Sequence, residues 1–375
     1  MRLKEALEAS LRENPDDLAA HMAYGDLLAE QDDPRGEFIQ VQLALEDPSR
    51  SPGQRRELQE REAALLVGHL PDWLGPIHAM FTGDDGSPFG LEYFSADRCK
   101  YRFARGWLES LTLDFINDEI VDALGACPAA GLLREFGFAN DDDDAPARGR
   151  VAALPFLGTM RKFRIGPDDD QCHVTGTGIA PAIARMPRLE ELYLYAHRVE
   201  VAQVFALPMP HLRTLHADHL HEYPLEALAD NPTLGNLVSL QCSPHGREPG
   251  HDDAYLTADG FTALVRSPHL RSLADLRLRG TGIGDRGIIA LADSPMLARL
   301  RALDLEQGCV TDVGARALAA GPAVRGLRKL RLTHNGLTAA GVAALRAVGV
   351  DLDADGQYGP DSLAEGEYLW YGDAE

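Results

Sequence analysis

The amino-acid sequence predicts an α/β solenoid preceded by a small helical domain. Three observations carry that reading. A leucine pattern, L-x-x-L-x-L, recurs along most of the chain. Each copy is followed by a turn and then by an apolar run of helical period. The N-terminal part lacks the pattern and is punctuated by helix-start signals instead. A repeat at one fixed period identifies the architecture before any single element does.

The copies are LESLTL from Leu108, LLREFGF with Leu133, Phe136 and Phe138, and MRKFRI from Met160. They continue as LEELYL from Leu189, LRTLHA from Leu212 and LVSLQC from Leu237. The last three are LADLRL from Leu273, LRALDL from Leu300 and LRKLRL from Leu327. Successive starts lie 25, 27, 29, 23, 25, 36, 27 and 27 residues apart. In the unit from Leu273, Leu278 leads through Ile283 and Gly287 into IIALADSPML. In the unit from Leu327, Leu332 leads through Asn335 and Gly341 into VAALRAVG. Asn335 stands where a turn uses a side-chain amide on neighbouring backbone. Thr281 and Gly308 fill the same slot in the two preceding units. No unit of this size can bury its leucines alone, so neighbours must stack into one continuous core. Nine parallel strands are expected, with Cys242 at an inward position and Leu352 as a final strand residue.

These repeats resemble the leucine-rich-repeat family, in its long-repeat form found in ribonuclease inhibitors and GTPase-activating proteins. The resemblance covers roughly residues 106–350. It implies parallel strands on a concave face and helices on a convex one.

The segment before the repeats reads as helices. Asn14-Pro15, Asp33-Pro34 and Ser51-Pro52 each pair a capping residue with a first-turn proline. The stretch ENPDDLAAHMAYGDLLAEQDDPRGEFIQVQ resembles the repeat-companion domain of bacterial repeat proteins, with Trp73-Leu74-Gly75-Pro76 and Arg105-Gly106-Trp107 also fitting. Gly25 and Leu27 depart from that pattern, where alanine and tryptophan are expected. The expected division is a helical domain over 1–105, the solenoid over 106–350, and an acidic, aromatic cap over 351–375 carrying Tyr358, Tyr368, Trp370 and Tyr371.

Composition narrows the partner. The chain has 375 residues and a formal net charge of -22, with 58 acidic residues against 36 basic ones. Such a surface repels nucleic acid and anionic membranes and keeps a large surface soluble; it is compatible with a basic protein partner but is weak evidence for one. The N-terminal helix has acidic residues and no continuous apolar core, so it is not a signal peptide. Five scattered cysteines, an odd count without paired spacing, suit reduced thiols in a bacterial cytoplasm.

The groups that could carry chemistry suit plainer roles. Asp26, Asp33, Arg35 and Glu37 fit capping and ion pairing better than catalysis, with Asp26 or Glu30 as the expected partner of Arg35. His216, Asp218, His219 and His221 cluster in sequence but lack tetrahedral zinc spacing. Asp351, Asp353, Asp355 and Gly356 match the start of a calcium loop, yet its twelfth position is Ser362. GTGIGDRG recurs at the turn phase and so is no phosphate loop. No catalytic residue, metal ligand or cofactor is therefore assigned.

Strand alternation instead marks an outward face. It carries Asp114, Arg164, Tyr193, Tyr195, His216, Asp218, Gln241, Arg277, Arg279, Asp304, Glu306 and Arg331. Acidic insertions follow strands at Asp141, Asp142, Asp143 and Asp144, at Asp168, Asp169 and Asp170, and at Asp252 and Asp253. At one phase of a solenoid they would line one rim. The expected function is an interaction scaffold whose protein partner docks on the concave face and this rim. The alternatives are an enzyme regulator of GTPase-activating type, an enzyme whose chemistry lies in the N-terminal domain, and metal-dependent ligand binding at the acidic loops.

Overall fold

The computed structural model describes residues 2–81, 99–141, 147–166, 174–244 and 254–369. The chain forms two compact units, residues 1–163 and 164–375. Among the described residues no helix is long and apolar enough to cross a membrane.

The first unit opens with helices α1 (Arg2–Glu13), α2 (Leu18–Ala29), α3 (Pro34–Glu46), α4 (Pro52–Leu74) and α5 (Pro76–Phe81). Two of the three expected caps form. Asp33 accepts the Arg35 N–H at the start of α3. Ser51 and Gln54 exchange bonds in a capping box at the start of α4. The third is corrected: α2 is capped by Asp17, which accepts from Ala20 N–H, and not by Asn14. Asn14 and Pro15 lie in the connection, where the Pro15 carbonyl accepts from His21 Nε2 at 3.0 Å and Arg134 Nη2 at 2.5 Å. Helix α4 also runs through Pro71; Trp73 and Leu74 beyond it are buried, and Trp73 packs on Phe38 at 4.5 Å.

The strands of this unit follow. β1 (Lys100–Ala104) runs antiparallel to β2 (Trp107–Ile116). β3 (Glu135–Asp141) lies parallel to β2, with α6 (Asp118–Gly125) between them in sequence. β4 (Lys162–Ile165) spans the boundary, with Lys162 and Phe163 in the first unit and Arg164 and Ile165 in the second. The β1–β2 hairpin turns on Arg105 and Gly106, at φ 51° and 78°. A two-residue hairpin loop needs positive φ at both places. Gly106 is required twice over, since a Cβ there would lie 2.2 Å from Ile39 Cγ1. Trp107 then enters the helical core beside Leu11, Tyr24, Leu28, Ile39 and Leu132.

Arg35 is the correction among the candidate polar groups. It pairs with neither Asp26 nor Glu30. Its Nε donates to the Gly106 carbonyl at 2.7 Å, and its guanidinium lies 4.1 Å over the Trp107 ring. Tyr24 stacks on the same indole at 5.4 Å. Asp26 accepts from Gln40 Nε2 at 2.9 Å, and Glu37 holds both ends of the Arg61 fork at 2.6 Å. The quartet is thus made of caps, pairs and a buried strut.

The second unit repeats strand, turn and helix. Its main strands are β5 (Glu191–Tyr195), β6 (Thr214–His219), β7 (Ser239–Pro244), β9 (Asp275–Leu278), β11 (Ala302–Asp304), β12 (Lys329–Arg331) and β13 (Leu352–Asp353), adjacent in that order and parallel. Its helices are α7 (Ala180–Ile183), α8 (Val201–Ala206), α9 (Leu225–Asp230), α10 (Ala258–Arg266), α11 (Gly284–Ala292), α12 (Asp312–Ala320), α13 (Ala339–Arg346) and α14 (Pro360–Ala364). From α7 to α13 each packs on the next. All nine expected strands are present across the two units. The sequence pattern missed β1 and the two-residue sheet of β8 (Leu256–Thr257) with β10 (Thr281–Gly282), which lies at the turn phase.

Register explains the stacking. Leu192, Leu215, Leu240, Leu276, Leu303 and Leu330 pair strand to strand as one ladder, each at most 1% exposed. A second ladder runs Leu194, Ala217, Cys242 and Leu278, so Cys242 is inward as expected. Asn335 also behaves as expected: Nδ2 donates to the Leu305 and Thr333 carbonyls, and Oδ1 accepts from Val310 N–H. Replacing Leu303 by alanine opens a cavity that strands on both sides must share. It should cost about 2–5 kcal/mol in a denaturant titration; a loss below about half a kcal/mol would remove Leu303 from the core.

Candidate functional site

With one side of every strand committed to the leucine ladders, alternation presents the other side outward. Register turns those residues into rows. One row is Tyr193, His216, Gln241, Arg277, Asp304, Arg331 and Asp353. Tyr195, Asp218 and Ser243 start a second.

Tyr193 and Tyr195 stack at 6.3 Å, 26° from parallel. The Arg164 guanidinium lies 5.3 Å from one ring and 5.0 Å from the other. His216 meets Tyr193 edge-on at 5.1 Å, with Nδ1 3.5 Å from the Tyr195 hydroxyl and Nε2 3.3 Å from Ser239 Oγ. Tyr193 donates to Glu191 at 2.9 Å, and burial together with that bond pushes its hydroxyl up to about 12. Gly166, at φ 85°, lets the backbone pass under Tyr195, whose carbonyl a Cβ would approach to 1.8 Å. The aromatic pair is therefore held from three sides.

Further along, charges pair across strands. Arg277 donates to Gln241 Oε1 at 3.1 Å and approaches Asp304 at 3.5 Å. Arg331 reaches Glu306 at 3.1 Å, Asp353 at 3.4 Å and Asp304 at 3.7 Å. Arg279 pairs with Glu306 at 3.2 Å. Burial pushes the Asp304 carboxyl up, against the opposing pull of its own hydrogen bond and of Arg331 and Arg277. A hollow of about 300 Å³ runs over this surface, lined by His216, Ser239, Gln241, Asp275, Arg277, Asp304, Lys329 and Arg331 among others. Ser239, Asp275 and Lys329 escaped the sequence reading. Each stands two residues before an outward residue that was found, so the same alternation carries the signal.

Eleven candidate face residues thus fall in one unit, though not in one role. Glu306 is buried and acts beneath its arginines. Asp218 accepts from Gln241 at 3.4 Å. Asp114 belongs to β2 of the first unit. Of the acidic insertions, Asp141 ends β3, while the Asp141 side chain and Asp142, Asp143, Asp144, Asp168, Asp169, Asp170, Asp252 and Asp253 lie outside the described residues. His219 and His221 meet edge-on at 5.4 Å, but His216 does not join them. His216 faces outward, whereas His219 is buried with Nδ1 accepting from Val199 N–H at 3.1 Å. The Asp351, Asp353 and Asp355 carbonyls accept from Leu330, Leu332 and His334 N–H, so this segment is strand edge. Among the described residues no group of three or more metal-ligating side chains forms.

A family model described as leucine-rich repeat matches residues 267–292, 299–319 and 327–345. These three segments are leucine-rich repeats. The matched repeats carry Arg277, Arg279, Asp304, Glu306 and Arg331, while Tyr193, Tyr195 and His216 lie in earlier repeats of the same register. Two solved structures are similar. A protein from Bacteroides fragilis aligns at 15% identity and a TM-score of 0.46, over 81% of this chain and 84% of that one. An internalin from Listeria monocytogenes aligns at 16% identity and a TM-score of 0.40, over 68% and 70%. No curated protein matches the sequence.

Burial, aided by Arg277 and Arg164, pushes the His216 imidazole down to about 4. An unfolded histidine titrates near about 6.5. Between these values the unfolded leucine-rich-repeat chain binds a proton that the folded one refuses. This contribution to stability is therefore complete above about pH 6.5 and is lost as pH falls toward 4. In thermal melts against pH, His216→Gln should flatten the slope in that window. A slope equal to that of the unaltered protein would show that His216 titrates alike in both states.

Proposed function

We propose that this leucine-rich-repeat protein is a non-catalytic scaffold that docks a protein partner on the outward sheet face of the second unit, around Tyr193, Tyr195 and His216. The observation that carries the reading is the tyrosine pair fixed under the Arg164 guanidinium. Aromatic anchors bind well when their shape is set before the partner arrives, since little side-chain freedom is then lost. The neighbouring rows offer both charge signs on one continuous surface, which favours selection among proteins over binding of a single small molecule. Arg164 and Asp218, next to the anchors, set specificity. A reducing compartment suits this scaffold, because Cys127 and Cys242 are buried thiols whose ionisation burial opposes.

The test is capture of the partner from native lysate, followed by titration with variants. Tyr193→Ala and Tyr195→Ala should each weaken binding by about 2 kcal/mol or more, the scale of a desolvated anchor. Unchanged affinity in both, with loss from a helix-side substitution, would move the site off the sheet face.

In the same scheme the helical segment 1–105 is an N-terminal cap. Trp107 and Leu132, which belong to the first repeats, complete its core, and removing it would leave them in water. A fragment 106–375 should aggregate or melt well below the whole protein in calorimetry. A soluble, cooperative fragment with an unchanged Tm would refute the cap and point to an independent role for the helices.

A further inference from the structure

The hollow on the sheet face is a trough and not a pit. Its lining comes from five successive strands, β6, β7, β9, β11 and β12. Neighbouring strands lie about 4.8 Å apart, so the trough spans roughly 19 Å. About 300 Å³ spread over that length leaves a narrow channel. Such a shape covers an extended chain and leaves a compact ligand largely exposed.

Charge along the trough is layered. Asp304 and Glu306 lie low, their side chains only 15% and 10% exposed. Above them stand Arg277 at 57%, Arg279 at 41% and Arg331 at 35%. The carboxylates hold the guanidinium heads in place and are largely covered in doing so. Lys329 is exposed and makes no ion pair among the described residues. Asp275 also lines the trough, half-buried, and the Asp353 carboxylate, 38% exposed, lies 3.4 Å from Arg331 Nε. Arg277 and Arg331 are two strands apart, roughly 10 Å. The most exposed charges here, Arg277 and Lys329, are positive, although the whole chain carries -22.

We infer that this trough binds an extended acidic segment of the partner protein, its carboxylates taken by Arg277, Arg331 and Lys329. This rests on the sheet face being the docking surface, and it is the opposite of the basic partner with which net charge alone is compatible. Guanidinium groups already oriented by buried carboxylates can offer a second edge to an incoming carboxylate. A long polyanion such as nucleic acid would extend past the trough into the field of the net negative surface. A short acidic segment meets the local positive strip and stops there.

The probe is a fluorescein-labelled oligoglutamate peptide, titrated by anisotropy against the full chain. Oligolysine, oligoglutamine and a single-stranded oligodeoxynucleotide of equal charge serve as comparisons. Oligoglutamate should bind tightest, and its affinity should fall as salt is raised. Arg277→Gln and Lys329→Gln should each weaken it about tenfold. Arg286→Gln, an exposed arginine on α11 paired with Asp259, should leave it unchanged. Arg331→Gln uncovers three carboxylates and can unfold the chain, so Arg277→Gln and Lys329→Gln are the deciding variants, each checked by thermal melt. Tighter binding of oligolysine or of the oligodeoxynucleotide overturns the inference, as does oligoglutamate binding indifferent to both variants. If the captured partner depends on Tyr193 and Tyr195 while oligoglutamate fails to bind, the docking face stands and the acidic segment falls. If oligoglutamate binding needs Arg277 and Lys329 while partner capture ignores every sheet-face variant, the trough is an acidic-peptide site and the scaffold reading falls.

Discussion

A repeat of this size has too few apolar side chains to close a core, and the second unit is shaped by that constraint. Leu192, Leu215, Leu240, Leu276, Leu303 and Leu330 are buried because each has a like residue one strand away. The ladder fixes register, because a slip of one residue would turn the leucines to solvent. Register then fixes the rows on the opposite side. Tyr193 meets His216, and Arg277 meets Asp304, only because the leucines behind them are aligned. The outward rows are a by-product of core packing.

The same constraint makes both ends of a repeat array expensive. At the start, β1 pairs with the edge of β2, and the indole of Trp107 is clasped between Tyr24 and Arg35. At the far end, β13 pairs with β12, Tyr358 N–H donates to the Asn335 carbonyl, and Leu363 fills the space that Gly336 leaves open. Neither segment uses the leucine pattern, and each is held by side chains particular to it.

This division also governs what the sequence reveals. The nine strands are readable because the period records the stacking itself. β1 is unreadable because KYRFA has no period and owes its structure to the turn at Arg105 and Gly106. The outward residues are readable by alternation, but their partnerships are not. That Arg164 would lie over both tyrosines depends on how strands stack, and 29 residues separate it from Tyr193. That Arg35 would reach Gly106, 71 residues on, depends on the hairpin folding back over α3. Local rules instead offered Asp26 and Glu30, which are near in sequence but engaged elsewhere or exposed. Asn14 misled for a related reason: two capping residues, Asn14 and Asp17, precede the same helix, and only helix phase decides between them.

Net charge says little about the sign of any one surface, for a structural reason. Several of the acids are committed to bonds within the molecule. Asp285 accepts from Thr311 and Gly314 of the next repeat, and Asp312 does the same for Thr338 one repeat further on. These carboxylates stitch successive helix starts together, and the Thr338 bonds hold Asp312 below the usual carboxylate range. Asp17 and Asp33 cap helices, and Asp304 and Glu306 brace arginines from below. An acid spent on a backbone N–H or covered by a guanidinium contributes to the total without facing a partner. A repeat protein that builds its joints from aspartate therefore accumulates negative charge with every repeat, whatever its binding face requires, and the sign of that face has to be read from which side chains stand outermost.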